Sequence, residues 1–320
     1  MNIPNLGLGC AQLGNLYRAM SDETAAAIVD TAWARGIRYF DTAPHYGLGL
    51  SERRLGAALA DRPRDDYVLS TKVGRLLVDN PGDPGERDPE GFDVPATHVR
   101  RRDYSRDGVL RSLESSLERL GADRIDIAFV HDPEAHVDEA LTGALPALVE
   151  LREQGVLRGI GLGMNFDDVL AEFVRRADVD VVMIAGRYTL LEQPALDELL
   201  PLCEQRGVDV IAAGVFNSGI LASDTPGHTY NYDAAPTALV ERATRIAEVC
   251  ARHRVTLPEA AVALPAAHPA VASVVLGASS PAQVEANAAR ASARVPGALW
   301  ADLVAEGLLR ADTPLPEEAT

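Results

Sequence analysis

The sequence predicts a single α/β domain folded as a (β/α)8 barrel. Three observations carry that expectation. Short apolar runs alternate with longer amphipathic stretches along the chain, and such alternation implies a parallel sheet with right-handed crossovers. Eight of these runs can be counted, which suits a closed barrel better than an open doubly wound sheet. The 320 residues, 47% of them hydrophobic, contain no linker, low-complexity tract or repeat that would divide residues 1–320. Barrels of this kind run to about 250 residues or more as one unit.

In order, strands are expected at Leu6–Gly9, Tyr39–Asp41, Tyr67–Thr71, Ile125–Val130, Gly159–Leu162, Val181–Ile184, Asp209–Ala213 and Val271–Leu276. Each is short and apolar, as a parallel strand buried on both faces should be. The first helix opens at Ser21-Asp22-Glu23, a capping residue followed by first-turn acids, and stops at Gly36. The same grammar gives helices over Ser105–Leu120, stopped by Gly121, and over Asp138–Gln154, stopped by Gly155. Pro236–His253 and Ser280–Ala291 complete the helical segments that the pattern marks. Two connections are long, about 74–104 and 214–235. Both follow a strand, so both belong over the C-terminal face of the barrel, where such folds keep their sites.

Composition removes several functions. A net charge of −17 argues against nucleic acid, which needs clustered Lys and Arg. The one basic run, Arg100-Arg101-Arg102, falls in an expected loop and reads as a solvated face or a set of ion-pair partners. No stretch approaches the roughly 18 uninterrupted apolar residues of a membrane span. The opening MNIPNLGLGC lacks the basic region and apolar run of a signal peptide. Cys10, Cys203 and Cys250 are far apart and odd in number, as small core residues in a reducing compartment would be. The expected location is the cytoplasm. No His-x-His, His-Glu-x-x-His or paired CxxC occurs, so no metal site is expected. No Walker motif is present, and neither GLG at 7–9 nor GIGLG at 159–163 makes a Rossmann fingerprint. Oligomeric state leaves no mark in the sequence.

One residue type is singular. Of 30 Lys and Arg, only Lys72 is lysine. A compact ammonium differs from a planar guanidinium, so Lys72 marks either chance survival or a site that needs it.

Chemistry-bearing residues close four of the apolar runs. Tyr39-Phe40 runs into Asp41 and, beyond it, Tyr46; Val68-Leu-Ser-Thr into Lys72; Ile127-Ala-Phe-Val into His131-Asp132; and Ile160-Gly-Leu-Gly-Met into Asn165. In a barrel these groups converge at one mouth.

At these residues the chain resembles the aldo-keto reductase family. FDTAPHYGLGLSERRLGAAL resembles the segment around its catalytic Asp and Tyr, STKVG its Lys segment, VHDP its His segment and LGASSPAQVEAN its cofactor-clamping loop and helix. The motifs occur in order from Leu6 to about Leu309. The resemblance implies a nicotinamide-dependent oxidoreductase with Asp41, Tyr46, Lys72 and His131 as its catalytic set. Tyr46 would be the general acid/base. A phenol has an ordinary pKa of about 10, and the Lys72 ammonium would favour its ionised form. Asp41 would hold Lys72, and His131 would orient the substrate oxygen.

The cofactor residues implied are Gly9, Cys10, Asp41, Met164, Asn165, Phe216, Asn217, Ser218, Gly277, Ala278, Ser279, Ser280, Gln283 and Asn287. Several depart from the family pattern. Met164 stands where Ser is common, Ala185 where Gln is common, and Ala213, with Phe216 just beyond, where a stacking Tyr is common. The cations that usually hold a 2′-phosphate are replaced by Gly277 and Gln283, so the expected cofactor is NAD, with NADP the less favoured alternative. Backbone N–H groups of Ala278 to Ser280, at a helix start, would hold a phosphate or ribose. Asn287 would face the adenine, and Arg290 is a substitute cation.

Within the family, GLGCAQLGNLY, AGRYTLLEQ and GVFNSGILA resemble the subgroup that oxidises the cyclic hemiacetal of an aldose, of the L-fucose or D-threo type, to a lactone. Its pyridoxal-oxidising neighbour is the alternative. The substrate wall would come from Gln12, Tyr17, His45, Tyr46, His131, Asp132 and Met164, with Tyr230 and Tyr232 from the second long loop. Acids and amides favour a sugar, and a flat aromatic pocket favours pyridoxal. A reading of another class, a cofactor-binding regulatory subunit without turnover, is opposed by the intact catalytic set. A metal-dependent barrel hydrolase would want clustered His ligands at strand ends; here only His131 ends a strand, with His45 in the next loop.

Overall fold

The eight apolar runs close into one parallel barrel. A computed structural model describes residues 2–82, 85–231 and 233–316. Its barrel strands are β1 (Leu6–Gly9), β2 (Tyr39–Asp41), β3 (Val68–Val73), β4 (Ile127–His131), β5 (Gly159–Met164), β6 (Val181–Ala185), β7 (Asp209–Ala213) and β8 (Val271–Gly277). Each strand pairs with its sequence neighbours, and β8 closes against β1 with Gly9 opposite Gly277. Inside, Tyr39, Ile127, Phe129, Val181, Ile211 and Val275 pack on one another. Burying one such side chain contributes roughly 1.5–3 kcal/mol, so this interior anchors the strand ends that carry the site.

Five strands run one or two residues further than the apolar pattern suggested. The extra residues include Lys72, His131 and Met164. An apolar criterion stops at the first polar side chain, whereas backbone pairing continues beneath it: Lys72 pairs with Phe129, and His131 with Gly163. The functional groups therefore stand on the rigid ladder.

The capping residues behave as their types require. Ser21 accepts from Thr24 N–H, Ser105 from Gly108 N–H and Ser280 from Gln283 N–H. Gly121 ends its helix at φ 59°. The Asp138–Gln154 expectation is met with a modification: α-helical Val137–Glu139 widens into a π segment, Ala140–Ala144, before Leu145–Glu153. Pro146 has no N–H to donate back into the preceding turn, which accounts for the interruption. The pattern passed over helices at Leu50–Leu59, Asp167–Arg176, Leu199–Arg206, Leu257–Ala263 and Gly297–Ala305. They are short, with apolar stripes of only two or three turns.

Neither long connection is structureless. The first folds as an antiparallel hairpin of Arg75–Asp79 and His98–Arg102, with Leu77 opposite Arg100. Arg100-Arg101-Arg102 is therefore strand, not loop. The Arg100 side chain is only 5% exposed and forms a two-pronged pair with Asp88 at 2.7 and 2.6 Å. It is an ion-pair partner rather than a solvated face. The second connection holds a short turn, Asn217–Gly219, and a small ribbon of Thr229–Tyr230 with Asp233–Ala234. Among the described residues, no helix is long and apolar enough to cross a membrane, and no cluster of His, Cys, Asp and Glu could hold a metal ion.

Candidate active site

The ends of β2, β3 and β4 bring Asp41, Tyr46, Lys72 and His131 together. Lys72 Nζ donates to Asp41 Oδ2 at 2.7 Å, to the Thr42 carbonyl at 3.0 Å and to Tyr46 Oη at 3.2 Å. Ser70 Oγ donates to the other Asp41 oxygen at 2.7 Å. The Lys72 and Asp41 side chains are almost wholly buried, at 2% and 4% exposure. Burial alone would push the Lys72 pKa down, but Asp41 and Tyr46 outweigh it and hold it above its ordinary value. Lys72 is thus a buried, charged ammonium shared between a carboxylate and a phenol. The His131 ring meets the Tyr46 ring edge-on at 5.9 Å.

Two glycines place Tyr46. Gly14, in the short turn after β1, lies against the Tyr46–Gly47 backbone. A Cβ on Gly14 would fall 2.6 Å from the Tyr46 carbonyl carbon, and one on Gly47 (φ +62°) would fall 2.2 Å from the Gly14 carbonyl oxygen. Only glycine allows the two segments to cross this closely.

Both histidines beside Tyr46 are neutral. Burial and then the Arg75 guanidinium push the His45 pKa down to about 2, and the same two causes hold His131 well below its ordinary value. The unfolded chain therefore binds two protons, below about pH 6.5, that the native chain refuses. Stability on their account is present above that pH and is lost as pH falls below it. The expected slope is about 1.4 kcal/mol per pH unit for each group. Urea unfolding of wild type and His45→Gln between pH 7.5 and 5 should show a shallower acid loss in the variant. Identical slopes would mean that His45 is charged in the folded protein.

Sequence reasoning missed the residues that surround these histidines. Arg75 Nη2 donates to Asp132 Oδ2 at 2.5 Å and Nη1 to His45 Nδ1 at 3.3 Å. Arg100 Nη2 donates to the His45 carbonyl at 2.8 Å, and Phe92 stands edge-on to His45 at 5.2 Å. Arg75 and Phe92 had no sequence signal beyond membership of the long loop after β3, and Arg100 was marked only as part of a basic run. Of the other substrate-wall candidates, Tyr17 is 63% exposed on the rim, with its N–H bonded to Gly91. Tyr230 donates its hydroxyl to Glu192, beside Arg187, away from the catalytic set in its bonding. Tyr232 lies outside the described residues.

The cofactor candidates line β1, β5, β7 and β8 with some redistribution. Cys10 has no exposed surface, and its carbonyl accepts from Ser51. Its N–H donates to the Asp41 carbonyl at 2.8 Å. Gln12, expected on the substrate wall, lies instead over Gly277: a Cβ there would sit 2.6 Å from Gln12 Oε1. Gln283 Oε1 accepts from Ser279 N–H at 2.7 Å and Ser279 Oγ at 3.1 Å, so that N–H is not free for a phosphate. Asn287 spends its amide on the Gly277 carbonyl and on Arg290 rather than pointing it outward. Arg290 lies over the Phe216 ring at 5.8 Å. Asn217 and Ser218 adopt left-handed backbone after β7, and Asn217 Nδ2 donates to the Gly186 carbonyl at 3.2 Å. Met164 is buried at the end of β5, ahead of half-exposed Asn165.

At the mouth of the (β/α)8 barrel, then, a buried lysine joins a carboxylate to a phenol. The chain belongs to the aldo/keto reductase family, whose model matches residues 5–303. It is 49% identical over 316 residues to D-threo-aldose 1-dehydrogenase of a Pseudomonas species, covering 96% of this chain and 95% of that one. It is 39% identical over 327 residues to pyridoxal 4-dehydrogenase of Microbacterium luteolum, covering 97% and 95%. An aldo-keto reductase from Bacillus halodurans in its holo form superposes with a TM-score of 0.74 at 27% identity, covering 98% of this chain and 94% of that one.

Proposed function

We propose that this protein is an NAD-preferring dehydrogenase that oxidises the anomeric hydroxyl of an aldose of D-threo (L-fucose) type to a lactone. One observation carries the reading: Lys72 Nζ sits 2.7 Å from Asp41 and 3.2 Å from Tyr46 Oη, beside a neutral His131. Similarity to the D-threo-aldose dehydrogenase supports the substrate class.

A nicotinamide dinucleotide suits the residues of the cofactor half. Gln12 Oε1 and Asn217 Oδ1 are buried acceptors with no partner, and a dinucleotide's carboxamide and ribose hydroxyls are donors. Gly277 and Gln283 place no cation at the helix start, which favours NAD over NADP. When bound, that group would supply the hydride acceptor for the reacting carbon. The chain itself does the rest. Tyr46 takes the proton of the anomeric hydroxyl as the carbonyl forms, in the phenolate form that an adjacent ammonium favours, with Lys72 Nζ 3.2 Å from its oxygen. His131, being neutral, donates an N–H to the same oxygen and orients it. Asp41 balances the lysine so that the charge beside Tyr46 is permanent.

The test follows reduced cofactor with NAD and with NADP, offering L-fucose, D-arabinose, L-galactose and pyridoxal separately. Turnover of a sugar with NAD is expected, preferred over NADP by about tenfold or more, because charge-assisted phosphate contacts are lacking. Turnover of pyridoxal alone would replace the substrate reading. The ring wall of His45, Tyr46 and Phe92 favours that second reading, as does similarity to the pyridoxal dehydrogenase. Tight cofactor binding without any turnover would leave a regulatory binding subunit.

A further inference from the structure

The hairpin that follows β3 sends one buried cation into the wall of the mouth. The Arg75 side chain is 11% exposed. It divides its donors between Asp132 Oδ2 (2.5 Å), His45 Nδ1 (3.3 Å) and Glu90 Oε2 (3.5 Å). Two of these acceptors flank the candidate proton-transfer centre. The His45 ring meets the His131 ring edge-on at 5.4 Å, and Asp132 Oδ2 lies 3.5 Å from His131 Nε2.

A guanidinium can only donate. His45 Nδ1 must therefore hold a lone pair, and the ring proton sits on Nε2. Arg75 thus sets the tautomer of one neighbour and the orientation of the other. Asp132 needs the support, since its backbone lies in the left-handed region at φ 43°. It is tied there by its N–H to the Gly163 carbonyl (3.1 Å) and by its own carbonyl, which accepts from Arg102 (2.9 Å). Its carboxylate keeps 28% exposure.

We propose that Arg75 is a positioning residue for substrate specificity. By holding His45 as an Nε2–H donor and Asp132 as an acceptor next to His131, it presets the pair that binds the hydroxyl beside the reacting carbon. This rests on the aldose reading given above. The electrostatics agree: after burial, Arg75 is the largest influence that keeps His45 and His131 neutral, and it opposes the upward push of burial on the Asp132 carboxyl. The charged groups around the pair are Arg75 and Arg102 from the hairpin strands, Arg100 and Glu90 beside His45, Lys72 from β3 and Glu134 beyond β4.

The experiment compares L-galactose with 2-deoxy-L-galactose, using NAD, in wild type, Arg75→Met and Asp132→Asn. A site built to bond a hydroxyl rejects the analogue that lacks it, so wild type should prefer the full sugar by at least about fiftyfold in kcat/KM. In Arg75→Met the full sugar should lose about fiftyfold, mostly through KM, while the deoxy sugar changes less than about threefold. Asp132→Asn should lose the same discrimination, and the double variant should lose little more, because both act on one contact set. NADH affinity should not move in any variant. Equal loss on both sugars with the preference intact would overturn the proposal and leave the aldose reading standing. If Arg75→Met does not fold, a full preference in Asp132→Asn overturns it equally. Wild type that oxidises pyridoxal and no aldose would remove the aldose reading and this proposal together.

Discussion

Tyr46→Phe is expected to lower kcat/KM by about a thousandfold, a typical share for a general acid/base. Affinity for reduced cofactor and thermal stability should stay near wild type. The substitution removes one oxygen from a half-buried ring, and that oxygen receives a bond from Lys72 at 3.2 Å. Lys72 keeps Asp41 and the Thr42 carbonyl as partners, so its charge is not stranded. The loss should fall on kcat and kcat/KM alike, as it does when an interaction made only in the transition state is removed. Lys72→Met should fall by a similar factor. The double variant should lose scarcely more than either single one, because the ammonium acts through the phenol. A Tyr46→Phe enzyme within tenfold of wild type would assign proton transfer to another group, and His131 would be the next to test.

The barrel and most of the candidate site were legible because they obey local rules. Each strand is a short apolar run, and Asp41, Lys72 and His131 stand where such a run turns polar, so a pattern of residue types located them, whereas Tyr46, five residues beyond its strand, was marked by the family resemblance. The hairpin of Arg75–Asp79 and His98–Arg102 obeys no such rule. Its Arg75 and Arg100 side chains pair with Asp88, Glu90 and Asp132, two of them from the intervening turn and one just past the end of β4. The strand therefore reads as charged when its charges are neutralised in three dimensions. The cofactor half was legible in outline only. The family resemblance set Gln283 and Asn287 at the cofactor and Gln12 on the substrate wall, but what each amide lies against depends on packing: Gln12 over Gly277, Gln283 on Ser279, Asn287 on Gly277. Cys10 shows the same limit from the other side. It stands beside a strand end, yet it has no exposed surface.

Asp41→Ala is expected to cost about 3–5 kcal/mol of stability, the usual penalty for removing one partner of a buried ion pair. Lys72 would keep only the Thr42 carbonyl and Tyr46 Oη, and Ser70 Oγ would lose its acceptor. The lysine would respond to its burial. Desolvation already presses its pKa down, and the carboxylate is the largest influence that holds it up. Without Asp41 the cheapest state is a neutral amine, which can no longer stabilise an ionised Tyr46. Activity should therefore fall with stability, and the residual activity should not return at low temperature, where the variant is folded. The explanation has its own control. Adding Lys72→Met to Asp41→Ala removes the stranded ammonium and replaces it with an unbranched apolar side chain, so urea unfolding should show at least half of the lost stability recovered, while activity stays absent. Such a rescue is a coupling between residues in contact. A double variant no more stable than Asp41→Ala would place the cost in the Ser70 and Tyr39 hydroxyls behind the carboxylate, and Asp41 would then matter to the fold through its hydrogen bonds more than through its charge.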